Sequence, residues 1–467
     1  MANKTYIPDI DRGMYDIVNP ENHRFVADKG LTEEIIRSIS QEKQEPEWML
    51  KYRLKSLEIY KSKPVPTWGA DLSELDVENI VHYVKPNVDM ARTWDDVPAD
   101  IKETFERLGI PQAERESLAG VGAQYDSEVV YHSMQESLKA QGVVYTDMDS
   151  AVKSHESIVK QYFMTLITNR DHKFSALHGA VWSGGSFVYV PKGVKVDKPL
   201  QSYFRLNAKG AGQFEHTLIV VEEGAELHFI EGCSAPKYGV QNLHAGAVEL
   251  FVKKNAKLRY STIENWSRNM YNLNTKRCAV DAHGRIEWVS GSFGSRVSML
   301  YPMSILRGEY ASSEFTGITF AANGQYLDTG SKVVHAAPHT SSIVNSKSIS
   351  KGGGHAFYRG LLRVTPGAHH VKSTVNCESL MLDAQSKSDT LPIIEVMNEQ
   401  VDIGHEAKIG RISDDTIFYL MSRGIPESEA KAMIVRGFVE PITKELPLEY
   451  AVELNNLISL ELEGTIG

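Results

Sequence analysis

The chain has 467 residues, more than one compact core usually holds, so several domains or one elongated one are expected. Its 50 Lys and Arg against 60 Asp and Glu give a net charge of −10, which argues against the concentrated basic surface that a nucleic-acid partner needs. Three cysteines cannot all pair, no stretch approaches about eighteen uninterrupted apolar residues, and the start, Met1-Ala-Asn-Lys-Thr-Tyr-Ile-Pro-Asp9, has no apolar signal core. The expectation is a cytoplasmic, soluble protein with free thiols and neither a membrane nor a nucleic-acid role.

From Leu31 to Lys61 the pattern is helical, with Pro46 near a first turn and Leu50, Leu54 and Leu57 on one face. Lys63-Pro-Val-Pro-Thr-Trp68 reads as a stiff linker. Further helices are expected within Asp95–Leu118, broken at Gly109-Ile-Pro111, and from Ala151 to Thr165. Residues 1–170 therefore form an N-terminal helical region, a cap or docking surface without chemistry of its own.

Residues 171–410 differ in texture. Apolar runs shorten to four or five residues, as in Phe187-Val-Tyr-Val190 and Thr217-Leu-Ile-Val-Val221, and glycine becomes frequent. Val190-Pro-Lys-Gly-Val-Lys-Val196, Val221-Glu-Glu-Gly-Ala-Glu-Leu227 and Val252-Lys-Lys-Asn-Ala-Lys-Leu258 share one template, and Gly193, Gly224 and Asn255 are each 31 residues apart. A fixed period with strand-turn-strand content predicts a β-helix whose repeated corner needs φ > 0; a sandwich of regularly spaced hairpins is the alternative. The template blurs at Val280-Asp-Ala-His-Gly-Arg-Ile286, where the coils are expected to become irregular. Residues 411–467 turn helical again: Ser413 can cap a helix that ends at Gly424, a second runs from Pro426 to near Gly437, and a third starts at Pro447.

The period carries a chemical expectation. Adding 31 to Cys233 gives Glu264, so a thiol and a carboxylate stack on neighbouring coils with Trp266 beside them; coincidence is the competing explanation. Cys278 reads only as strand core. Cys377 and the dipeptide His405-Glu406 combine the thiolate, imidazole and carboxylate that bind iron or zinc, but lie 28 residues apart and can meet only through the fold. The plainer reading makes Cys377 a buried small hydrophobe, and neighbours such as His405 and Glu406 point to opposite faces of a strand. The chain has no P-loop, no G-x-S-x-G, no H-E-x-x-H and no C-x-x-C.

Glu45-Pro-Glu-Trp-Met-Leu-Lys-Tyr-Arg53, Gly120-Val-Gly-Ala-Gln-Tyr-Asp-Ser-Glu128, His228-Phe-Ile-Glu-Gly-Cys-Ser-Ala-Pro236 and Glu445-Leu-Pro-Leu-Glu-Tyr-Ala451 closely resemble the SufB/SufD family of iron–sulfur cluster assembly proteins, and its SufB branch in particular. The resemblance implies a mainly β fold, a right-handed parallel β-helix core with α-helical N-terminal and C-terminal regions. It implies a non-enzymatic scaffold that accepts persulfide sulfur and assembles a transient 4Fe–4S or 2Fe–2S cluster for transfer to apo-proteins; a reduced flavin is compatible, though no residue marks one. The implied partners are a SufC ATPase, which would handle ATP on the C-terminal helices, SufD or a second SufB copy, and a cysteine desulfurase SufS with a SufU- or SufE-type sulfur carrier.

Residue by residue, the resemblance implies that Cys377 is essential to cluster formation, with Glu406 as co-ligand and His405 as a weaker candidate. Cys233 would receive sulfur, and Arg205, Asn207, Trp266 and Lys276 would line a passage toward Cys377. Glu264 stands where better-known members carry glutamine and Gly404 where they carry glutamate, and the N-terminal cysteine cluster of some members is missing. Two other functions compete: a structural SufD-like subunit, expected to lack the Cys377 thiol, and a β-helical polysaccharide enzyme, which would want acidic clusters and a signal peptide.

Overall fold

The computed structural model describes residues 16–463 apart from residues 92, 109, 111–116 and 445–447. Met1–Asp9, Gly109, Pro111 and Pro447, which entered the sequence reading, lie outside the described residues.

The short apolar runs wind into a parallel β-solenoid, as expected, and not into a sandwich. Eight parallel strands, from Leu200–Arg205 to Val401–Arg411, stack into one sheet, and the strands Gly120–Tyr125 and Glu128–Met134 extend its starting edge, the last antiparallel. The sheet thus begins well before residue 171. A second sheet wraps the remaining faces with two short strands per coil, which merge into the single long strand His355–Val364 near the far end.

Alternation along each strand sends every second side chain into the lumen. The register Phe229↔Tyr260↔Trp288↔Phe315↔Val344↔Val375 gives an apolar column that fills it. The outer face of the same sheet, with Tyr203, Ile230, Ile263, Phe293 and Ile318, is covered by the C-terminal helices through Val435, Val439, Leu454 and Ile458. These helices therefore cover a sheet face and do not plug the solenoid end.

Gly193, Gly224 and Asn255 have φ of 74°, 71° and 57°, the left-handed corner that the repeat demanded. The corner continues where the template fades. His283, Tyr310, His339 and His370 take it up with φ of 56–60°, each donating its backbone N–H to the next coil. The intervals shrink to 28, 27 and 29 residues before returning to 31, so the coils shorten without losing the corner. Non-glycine residues resist this conformation by about 1 kcal/mol or more. Here the rings stack on one another, His283 on Tyr310 at 5.0 Å, Tyr310 on His339 at 4.8 Å and His339 on His370 at 4.9 Å, which offsets that cost.

The helical regions differ in detail. Leu31–Lys61 divides into Glu33–Glu42, capped by Thr32, and Glu47–Ser62. Within Asp95–Leu118, Ala99–Arg107 is helical. Met148–Ser154 and Glu156–Tyr162 replace one helix. Ser413 caps Asp414–Met421 by accepting from the Thr416 N–H at 3.3 Å. The next helix, Glu427–Thr443, passes through Gly437, so the expected stop there is wrong. Among the described residues no helix is long and apolar enough to cross a membrane.

Candidate functional site

All three thiols are free and buried, and all point to the lumenal side. Cys233 lies on the strand Glu226–Ser234 and is the direct partner of Glu264 on the next strand, as the 31-residue period predicts. Glu264 accepts from Lys276 Nζ at 3.1 Å and from Asn272 Nδ2 at 2.6 Å. Trp266 packs with Cys233 in one apolar cluster, its ring 4.6 Å from that of His244.

Around Cys233, Glu264, Trp266 and Lys276 the lumen holds charges that the sequence reading overlooked. Glu231, two residues before Cys233 and so on the same face, lies 3.6 Å from Lys276 and accepts from Thr217 at 3.1 Å. His244 donates to Glu215 at 2.5 Å. Burial pushes the Cys233 thiol well up, and the charges of Glu231, Glu215 and Glu264 add to this. Burial also raises Glu231, while Glu264 is held below the carboxylate range because Lys276 and His244 outweigh its burial. Lys276 is raised in spite of burial by Glu264 and Glu231. Strict alternation counted back from Cys233 would have found Glu231.

Arg205 and Asn207 stand apart from this cluster. Arg205 is in register with Ser234, the residue after Cys233, and so lies on the opposite face, where it donates to Ser234 Oγ at 3.0 Å and to the Ile17 carbonyl at 2.7 Å. Asn207 exchanges hydrogen bonds with Asn19 at 3.1 and 3.2 Å. Both residues tie the N-terminal segment across the sheet and do not line the lumen.

At the other end, Cys377 sits on Val371–Met381 with its Sγ 3.8 Å from His405 Nε2. His405 comes within reach because it is the register partner of Val375, two residues from Cys377 on the same face. Burial pushes the Cys377 thiol up to about 11, against hydrogen bonding from Tyr358 and Thr390. Glu406 does not join them: alternation turns it to the other face, where it pairs with Lys408 at 3.2 Å. Among the described residues no group of three or more His, Cys, Asp and Glu side chains converges as a metal site. The end is open, with Leu391, Ile393, Ile394 and Val396 exposed on its last coil.

Between the two thiols runs a row of small side chains. Following the register from Glu231 gives Thr262, Ser290, Gly317, Ser346 and then Cys377. The parallel row from Cys233 reads Glu264, Ser292, Thr319, Ser348 and Ser379. Five strand steps separate the ends, about 24 Å at the usual strand spacing. The apolar column flanks this hydroxyl-lined track, and at Gly317 the Phe315 ring leans across it, 2.6 Å from where a Cβ would stand. Cys278 lies to one side of the track, packed in the lumenal core.

The chain matches two family models, the SufBD protein N-terminal region over residues 31–202 and the SUF system FeS cluster assembly, SufBD core domain over residues 204–438. It is 52% identical over the full length of both chains to an iron–sulfur cluster assembly SufBD family protein of Staphylococcus saprophyticus. It is 51% identical, again over both full lengths, to one of Staphylococcus aureus.

Proposed function

The chain belongs to the SufBD family of iron–sulfur cluster assembly proteins, and from that premise we propose that it is a scaffold of the SufB kind, on which the cluster is built at Cys377. The supporting observation is the track of small polar side chains that starts beside Cys233 and ends at Cys377. A carrier persulfide would give its outer sulfur to the Cys233 thiolate. The Sγ–S bond forms as the donor S–S bond breaks, the electron pair leaves with the donor thiolate, and the thiol proton passes to the surrounding carboxylates. Lys276, Glu264, Glu231 and Trp266 hold this receiving end, and Arg205 and Asn207 support it from outside.

At the open end Cys377 and His405 offer one soft and one borderline ligand to iron. Glu406, on the other face of the edge strand, reaches the same iron only when a partner reshapes that edge. Two or three ligands fall short of the usual four, so a second chain, SufD or another copy, completes the set across the exposed apolar coil. The cluster is cargo, 4Fe–4S or 2Fe–2S, and ATP hydrolysis belongs to a SufC-type ATPase docked at Phe418, Tyr419 and Met421, exposed on the first C-terminal helix. A SufS desulfurase with a SufU- or SufE-type carrier supplies sulfur in the cytoplasm. The Cys377 thiol separates this reading from a SufD-like structural role.

Anaerobic reconstitution of the purified complex with iron and sulfide tests the assignment. Cys377→Ser, nearly isosteric, is expected to abolish the cluster absorbance while the fold persists; unchanged absorbance would return Cys377 to the core.

A further inference from the structure

Lys63–Trp68, read from sequence as a spacer, lies across the outer face of the second sheet. Pro66 and Trp68 there roof an open cleft on this face. Trp68 remains 47% exposed, its ring 5.8 Å from that of Tyr301, and Leu273, Met299 and Met303 make the rest of the wall apolar.

The polar groups of this cleft are unbalanced. Of its cations, Arg277 is paired with Asp171 at 2.5 Å, and the neighbouring Arg359 with Asp328 at 2.8 Å. Lys332 has its Nζ 4.7 Å from the Tyr301 ring centre and 5.5 Å from that of Trp68, and among the described residues it has no carboxylate in ion-pair reach. Burial, then Arg277 and Arg359, lower the pKa of its ammonium, so an arriving anion would relieve it. His172 adds no charge, since burial pushes it down to about 4 and its Nε2 is occupied by Thr275 at 3.2 Å.

We propose that this cleft binds a flat organic anion, an aromatic ring bearing one carboxylate or phosphate, with the ring against Trp68 and Tyr301 and the anionic group at Lys332. One strand separates the ligand from the lumen: Thr275 and Arg277 face the cleft while Lys276 between them reaches inward to Glu264.

Titration calorimetry of the full chain tests this with 2-naphthoate, neutral 2-naphthylmethanol and non-aromatic hexanoate as probes. Naphthoate is expected to bind at about 0.1–1 mM, as suits a ligand of its size, and at least about tenfold more tightly than the other two. Lys332→Gln is expected to weaken naphthoate by at least about tenfold while leaving naphthylmethanol unchanged, and Trp68→Ala, at an exposed position, to weaken both. Absence of naphthoate binding, equal affinity for hexanoate or naphthylmethanol, or undiminished affinity in either variant would overturn the proposal.

Discussion

The two ends of the solenoid carry the same kind of ion pair in opposite settings. At the Cys233 end Lys276 and Glu264 are buried together at 3.1 Å among Glu231, Glu215 and His244; at the Cys377 end Lys408 and Glu406 pair at 3.2 Å in solvent. The first end is sealed and its charges are structural necessities, because each is supportable only by the others. The second is an edge whose groups are free to be recruited. In the proposed scaffold role the buried end would receive sulfur and the open end would display the product to a partner.

The largest expected effect breaks the sealed end. Lys276→Met leaves Glu264 and Glu231 without their cation and should cost about 3–5 kcal/mol, read as a lowered denaturation midpoint. Loss below about 1 kcal/mol would mean that these carboxylates are already neutral. Gly317→Val comes next: a branched side chain there would stand in the track itself, its Cβ 2.6 Å from the Phe315 ring, which must shift. It should cost about 1–3 kcal/mol and slow persulfide-fed assembly more than sulfide-fed assembly; equal slowing would argue that nothing travels past Phe315.

The thiols sharpen the contrast by pH. The Cys377 pKa is raised, so the stability it contributes is complete below the ordinary thiol value of 9.0 and is lost as pH rises through about 11. Iodoacetamide labelling of a Cys233→Ala, Cys278→Ala variant should accelerate with a midpoint near that higher value, whereas a midpoint at 9.0 would show an unburied thiol. The smallest effect belongs to Lys408→Met, at most about 0.5 kcal/mol for an exposed pair. A larger change would show that Glu406 is already committed to the fold.

The legible part of the molecule was its periodic part. Gly193, Gly224 and Asn255 placed the corner, and one interval of 31 carried Cys233 onto Glu264 because these coils have equal length. Beyond Asn255 the coils lose two to four residues, and the corner passes to His283, Tyr310, His339 and His370. Side chains there are held in the left-handed conformation by stacking, an interaction between coils that no local motif announces. The track from Glu231 to Cys377 is hidden by the same slippage, since its intervals follow the corners. The proximity of Cys377 and His405 was out of reach for another reason: it depends on which strand follows which. Glu406, by contrast, obeys the alternation that adjacency to His405 already required. Arg205 was the least legible, because a one-residue offset from the Cys233 register reverses its face.

The central claim is that the two ends act in sequence, and the sulfur source separates them. Cys233→Ala is measured for cluster assembly in the complex, once with a protein persulfide donor and once with free sulfide. The account predicts a strong loss with the persulfide donor and near-normal assembly with sulfide, which reaches Cys377 without the relay. Equal loss under both sources would contradict it and leave Cys233 as a buried residue that supports the fold.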